Sequence, residues 1–313
     1  MADAMTKRER VMAAICGDDV DRVPFSFWYH FPGGENPDED FIQAEVGFAV
    51  KYDVDLLKVM HDAPLDLPPG LEEITSAADL RRLEPVDPRK GNFARHLSAL
   101  HAIRKRLPDD RPMVDTLFSP FSYCDKLTGK QALRYLDEDP DAFRHALWAI
   151  AESVAAYGVA AIEDGAIDGM FLASSGGVRG FIDETVFREI VHPTHKHIGD
   201  ACATVGTCNI LHLHGTNLMW EPQCEIPAHI VNWSDRTTAP SLSEARRKDD
   251  RCLAGGINEV TAGDVTPEQI REQVRSAIEE LRGRKMIAAC GCAVPTEAPE
   301  ANLLAIRDAV LGG

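Results

Sequence analysis

Short apolar runs alternate with longer stretches of helical period along this chain. Eight runs read as strands: 23–31, 56–61, 113–118, 169–173, 209–214, 230–234, 252–255 and 286–290. Each is short, mostly apolar, and bounded by polar, Gly or Pro positions. Between them, 141–162 places Phe143, Ala146, Leu147, Ile150, Val154 and Val159 at helical spacing, and 184–205 behaves similarly. The stretch 266–281 opens with Thr266-Pro267-Glu268-Gln269, a cap followed by proline at the first helical position. A last helix is expected over 302–310. The Pro- and acid-rich segment 32–40 reads as a long loop, and 64–88, with five prolines, as an irregular excursion.

Eight strands alternating with helices predict an α/β fold, a (β/α)8 TIM barrel. We expect one domain over 1–313, with a short helical lead before about Asp21. A doubly wound open sheet is the alternative, but no Gly-x-Gly-x-x-Gly follows the first strand. In a barrel the chemistry sits at the C-terminal strand ends. Those ends carry Trp28, Tyr29, His30, His61, Asp62, Ser119, Ser174, Ser175, His212 and His214. They continue with Trp233, Asp235, Asn258, Glu259, Cys290 and Cys292.

Composition narrows the function classes. The chain is 44% hydrophobic and 27% charged, with a net charge of −17. That charge opposes a nucleic-acid partner, whose phosphates it would repel. No run of about 18 apolar residues predicts a membrane span. The charged opening residues lack an apolar signal segment. Eight scattered cysteines do not form a compact disulfide framework. A reducing, cytoplasmic setting is expected.

The candidate chemistry centres on His212-Leu213-His214 and Cys290-Gly291-Cys292. Two imidazoles one residue apart on a strand point to the same side. A thiolate beside them completes three ligands with one position open, the layout of a catalytic zinc. The same histidines also suit a polar barrel wall without metal. His61 and Asp62 are candidates for proton transfer or for supporting a ligand. Asp235 is a candidate to orient a ligand histidine. Trp28, Tyr29, His30, Ser174, Trp233 and Asn258 are candidate substrate contacts.

Several segments resemble the uroporphyrinogen decarboxylase superfamily. Arg8-Glu9-Arg10-Val11-Met12-Ala13-Ala14 with Asp21-Arg22-Val23-Pro24 is similar to its opening helix and first strand. Tyr52-Asp53-Val54-Asp55-Leu56-Leu57-Lys58-Val59 resembles its second strand, and Glu163 through Met170 the run into its fourth. Gly256-Ile257-Asn258 resembles the turn of the seventh. Gly291-Cys292-Ala293-Val294-Pro295, then Ala298-Pro299-Glu300-Ala301-Asn302, resembles the Gly-Cys-x-x-Pro ending.

The resemblance implies two chemistries. True uroporphyrinogen decarboxylases carry an arginine-rich segment after the first strand, which manages the substrate's carboxylates. Here the place reads Phe25 to Gly34 without arginine. The other branch comprises zinc methyltransferases moving a methyl group between a corrinoid, such as methylcobalamin, and a small thiol. Their ligands follow His-x-Cys, then a cysteine in Gly-Cys-x-x-Pro. By that resemblance the metal ligands are His212, His214 and Cys292, with His214 standing where the family often has cysteine. Cys290 is the alternative thiolate. The implied cofactors are zinc and a corrinoid on a partner protein, with a small thiol or methylated molecule as substrate. A lyase acting on a small substrate without corrinoid is the competing reading.

Overall fold

The computed structural model describes residues 4–312. Residues 1–3 and 313, the outermost ends of the expected 1–313 domain, lie outside the described residues.

Eight strands form one parallel sheet: β1 Phe25–Ser26, β2 Leu57–Val59, β3 Met113–Phe118, β4 Gly169–Ser174, β5 Ile210–Leu213, β6 Ile230–Trp233, β7 Cys252–Ile257 and β8 Met286–Cys290. Their spatial order is β1-β8-β7-β6-β5-β4-β3-β2. Each strand therefore lies beside its sequence neighbours and β1 returns to β8, as in a (β/α)8 barrel.

The β1–β2 seam has no ladder and closes by other bonds. Asp55 donates its N–H to the Phe25 carbonyl at 3.0 Å, and its carboxylate accepts from the Phe25 N–H at 3.0 Å. Ser26 Oγ donates to the Leu56 carbonyl at 2.7 Å. Above them the Met60 N–H donates to the buried Glu45 carboxyl at 3.0 Å. The first strand is shorter than its apolar run suggests. Past Ser26 the backbone finds a loop partner instead, with Val294 N–H donating to the Trp28 carbonyl at 2.9 Å.

Alternation divides the strand residues into two layers. Val114, Ile210, Ile230, Cys252, Ala254, Ile287 and Ala289 fill the barrel interior. Their strand neighbours, such as Leu57, Val59, Leu172, Leu211 and Leu253, are buried on the outer side. The helical lead Lys7–Cys16 starts with a Thr6–Glu9 capping box. It turns Val11 and Ile15 onto the interior cluster, so it stoppers the barrel's lower end.

Local sequence accounts for the helix ends. The segment 32–40 stops being a loop at Asp38, whose carboxylate accepts from the Asp40 and Phe41 N–H groups and starts the helix Glu39–Tyr52. Thr266 and Gln269 form the capping box of Pro267–Leu281. The stretch 184–205 is not one regular helix. It runs through a π-turn at Phe187–Val191 before His192–Ala203. Pro193 has no N–H to give the Glu189 carbonyl, which accepts from Arg144 at 3.3 Å instead. Pro140–Glu163 is the one described helix long and apolar enough to cross a bilayer, and 72% of its most apolar window is buried inside the fold.

Candidate active site

β5 aims His212 into the barrel, and His214 follows at its C-terminal end. The register sets His212 beside Ala173 of β4 and Asn232 of β6. Asn232 Nδ2 donates to the carbonyls of Ala254 at 3.0 Å and Cys290 at 3.1 Å. Its Oδ1 is therefore the atom facing His212 Nδ1, at 2.7 Å. An amide oxygen only accepts, so Nδ1 carries the proton and Nε2 keeps its lone pair. Burial, reinforced by the Lys58 charge, pushes the His212 imidazole down to about 4 despite the Asn232 bond. The ring is neutral at pH 7, the form that binds metals.

β8 delivers the thiol. It ends at Cys290, whose side chain is wholly buried in the outer layer, where burial drives its thiol well above the usual value. The two cysteines do not share a face, because the chain leaves strand geometry at Gly291. A Cβ on Gly291 would lie 2.4 Å from Ser234 Cα, so only glycine permits this approach. Cys292 thereby reaches His214. Burial raises its thiol, but the His214 hydrogen bond and charge, the Ala293 amide and Lys58 together bring it below its ordinary value.

The ligand atoms of His212, His214 and Cys292 all lie within 4.8 Å of one another. His212 is buried, Cys292 half-buried and His214 exposed. The group thus spans the distance from the barrel wall to its mouth. Two imidazoles and a thiol of lowered pKa form a donor set that suits zinc.

Below this group lies a cavity of about 230 Å³. Trp28, Phe171, Phe118 and Met60 give it apolar walls, and Lys58, Lys126, Thr116, Ser122 and Ser175 give it polar ones. Ser122 and Ser175 are hydrogen-bonded through their hydroxyls at 2.6 Å, and Ser119 joins Ser175 at 2.9 Å. At the mouth His30 Nδ1 meets the Asp62 carboxylate at 2.9 Å.

Of the residues expected at the site, Trp28, His30, His212, His214 and Cys292 line this cavity, and Asp62 holds His30 beside it. The others are placed elsewhere, mostly by alternation. Tyr29 faces outward and donates its hydroxyl to Tyr52 at 3.0 Å within an aromatic cluster. His61 also faces outward. It is stacked on His96 at 3.7 Å, and both rings meet the buried Asp115, at 3.3 and 3.0 Å. Ser174 is buried behind β4 between His195 and Gln223, and its neighbour Ser175 takes the cavity position. Trp233 lies on the outer side, edge-on to Trp220, with its N–H on the Pro240 carbonyl at 2.8 Å. Asp235 orients no histidine. It accepts from the Gly256 N–H at 2.9 Å, and burial raises its carboxyl to about 7. Asn258 shapes its own loop by accepting from the Val260 and Thr261 N–H groups.

His61, His96 and Asp115 also bring their ligand atoms within 4.8 Å of one another. There, however, each carboxylate oxygen already accepts from a protein donor, including the Tyr157 hydroxyl at 2.8 Å. The carboxylate is thus fully engaged as an acceptor, and His96 Nδ1 is the one buried ring nitrogen of the group left without a partner.

Lys58, Asn232 and Lys126 were not among the candidates, and Ser175, read only as a strand-end residue, takes the cavity position expected of Ser174. The signal was present for two of them. Lys58 sits an even number of positions from Leu56 and Met60, and Asn232 pairs with His212 once the strands are registered.

One prediction follows for the Asn232–His212 bond. Asn232→Ala frees the ring to change tautomer and rotate, and zinc affinity should fall by about 10–100-fold. Competition with a chromophoric chelator measures this. An unchanged affinity would remove Asn232 from the site.

A family model described as uroporphyrinogen decarboxylase (URO-D) matches residues 60–312. No curated protein sequence matches the chain. Among solved structures, a methyltransferase from Methanosarcina mazei superposes with a TM-score of 0.79 at 17% identity, covering 98% of this chain and 99% of that one. A putative vitamin-B12-independent methionine synthase from Listeria monocytogenes gives 0.54 at 12% identity, covering 93% and 96%. A B12-independent methionine synthase from Shewanella sp. W3-18-1 gives 0.53 at 15% identity, covering 74% and 69%. At these identities the likeness is one of fold.

Proposed function

The chain belongs to the uroporphyrinogen decarboxylase family, and from that premise we propose that it is a zinc-dependent methyltransferase. Its substrates in this reading are a corrinoid-borne methyl group and a small thiol or related acceptor. The observation that carries the proposal is the convergence of His212, His214 and Cys292 at the cavity mouth. These three residues would hold the zinc. When bound, the ion lowers the pKa of a coordinated thiol, so that a thiolate nucleophile exists at neutral pH.

The chain's own residues do the rest. Asn232 fixes the tautomer that leaves the His212 Nε2 lone pair free. His214 and the Ala293 amide favour the thiolate form of Cys292. Trp28, Phe118 and Phe171 exclude water from the cavity beneath, which strengthens every charge interaction there. Asp62 steadies His30 at the entrance.

The cavity also speaks against the founding activity of the family. About 230 Å³ is below the ~300–1,000 Å³ of sites that enclose drug-sized ligands. No arginine is among its described lining residues, whereas a substrate with eight carboxylates calls for bidentate guanidinium partners. A small molecule fits inside, and a corrinoid would present its methyl group from outside, where His214 is exposed. All eight cysteines are free thiols, which supports the cytoplasmic placement proposed with this reading.

The direct test is to supply the zinc-loaded protein with methylcobalamin and a small thiol, following loss of the methyl–cobalt absorbance. Uroporphyrinogen should remain intact under the same conditions. Zinc-loaded protein that transfers no methyl group to any thiol offered, from free or protein-bound corrinoid, would sink the proposal.

A further inference from the structure

The two histidines of the candidate metal group are held in different ways. His212 has the Asn232 amide against its Nδ1. The His214 ring is exposed, and among the described residues its one hydrogen-bond partner is Cys292. A metal-binding imidazole usually gives its second nitrogen to a carboxylate, carbonyl or water that fixes the ring. Here the placing falls to the backbone. The His214 N–H donates to the Ser174 carbonyl at 2.9 Å. Gly215 follows at φ +112°, where a Cβ would lie 2.7 Å from Val178 Cγ2. Beyond it, the loop after β5 runs antiparallel to the loop after β4. Val178 bridges to Leu218, the Met219 N–H donates to the Gly177 carbonyl at 2.8 Å, and the Arg179 N–H donates to the Asn217 carbonyl at 2.9 Å.

Gln223, wholly buried in the short helix Trp220–Cys224, ties these loops together. Its Nε2 donates to the carbonyls of Gly177 at 2.9 Å and Met219 at 3.3 Å. Oε1 therefore accepts, and its donor is the Ser174 hydroxyl at 2.9 Å. With its only proton given away, Ser174 Oγ accepts from His195 Nδ1 at 3.0 Å. Burial pulls the His195 imidazole down to about 3, so the ring is neutral with its single proton on Nδ1, and Nε2 is left without a partner. The chain of donors thus has one direction. It runs from His195 through Ser174 and Gln223 to the loops that flank His214. We propose that Gln223 is the positioning residue of His214: it clamps the loops after β4 and β5 and so keeps the imidazole within reach of Cys292 and His212. The inference rests on the zinc reading of these three residues. It adds that the outermost ligand is set by an amide that does not line the cavity.

Gln223→Met keeps the length of the side chain and removes its hydrogen bonds. Zinc affinity, measured by competition with a chromophoric chelator, should fall by about tenfold or more. The same substitution in a His214→Ala protein should change affinity by less than about twofold, because the ligand through which Gln223 acts is gone. In a His212→Ala protein the fall of about tenfold should remain. A purely structural role would lower affinity alike in all three backgrounds. Should Gln223→Met not fold, Ser174→Ala is the milder variant, which cuts the chain but leaves the Gln223 N–H bonds. It should lower affinity by about threefold, the worth of one hydrogen bond, and leave His214→Ala unaffected. Unchanged zinc affinity in the variant that folds overturns the inference, and so does a fall of equal size in His214→Ala. Wild-type protein that takes up no zinc overturns the zinc reading, and this inference with it.

Discussion

Cys292→Ser is expected to remove zinc and turnover together. The thiol is the only donor of the three that can bring negative charge to the metal. Its surroundings already favour the thiolate, through His214, the Ala293 amide and Lys58 acting against burial. A serine hydroxyl keeps its proton at neutral pH and is a far poorer ligand for zinc. Two imidazoles alone should lose affinity by more than about 100-fold, and methyl transfer should fall to background. Circular dichroism should be unchanged, because Cys292 is half-buried at a mouth rather than in the core. Cys290→Ser is the control. Its thiol lies in the outer layer, so the variant should retain zinc and lose only about 1–3 kcal/mol of stability from an ill-paired buried hydroxyl. A Cys292→Ser protein with full zinc and full activity would end the zinc–thiolate reading. Loss of zinc from Cys290→Ser with Cys292→Ser intact would exchange the two cysteines.

The second large effect concerns stability rather than chemistry. Asp115 is wholly buried and accepts from His61, His96 and the Tyr157 hydroxyl. Burial alone would raise its carboxyl, yet the charges and hydrogen bonds of the two histidines hold it below the usual carboxylate range. Asp115→Ala leaves three buried donors without an acceptor, a loss of about 3–5 kcal/mol. Total stabilities of about 5–15 kcal/mol leave little after such a loss. Asp115→Asn should be milder, near 1 kcal/mol. Its amide oxygen can keep two donors, and His96, whose Nδ1 has no hydrogen-bond partner, can move its proton there and accept from the new NH2. Urea midpoints separate the variants.

The pH dependence follows from the same depressed carboxyl. Its contribution is complete above the unfolded aspartate's value of about 3.9 and is lost as pH falls toward the folded one. Removing Asp115 should therefore flatten the acid limb of the stability profile. Equal midpoints for Asp115→Ala and Asp115→Asn would mean that the network is not what holds this layer. His61→Ala belongs to this experiment. It should lower the midpoint and leave zinc in place.

Much of this was legible along the chain because it depends on local pattern. Apolar runs bounded by turn residues placed β3 and β8 at their observed limits, and Thr266-Pro267-Glu268-Gln269 marked a helix start. The order of those elements implied the barrel, since parallel strands need helical crossovers. His212 and His214 were readable as a pair because the two-residue period is a property of one strand.

The tertiary structure decided what depends on which face a strand turns inward. Alternation sent Lys58, Ser175 and Asn232 to the axis and Tyr29, His61, Ser174 and Trp233 to the helices, although these neighbours look equivalent in a list of strand ends. The phase of each strand is set by burial on both faces, which a sheet covered on both sides does not write into its composition. Which of Cys290 and Cys292 lies beside His212 and His214 was decided by the close contact of Gly291 with the end of β6, a contact between segments more than 50 residues apart. Lys58 came to line the cavity only when Trp28, two residues past β1, and Phe171 of β4 closed around its ammonium. That is a fact about distances in the folded barrel, and no local pattern encodes it.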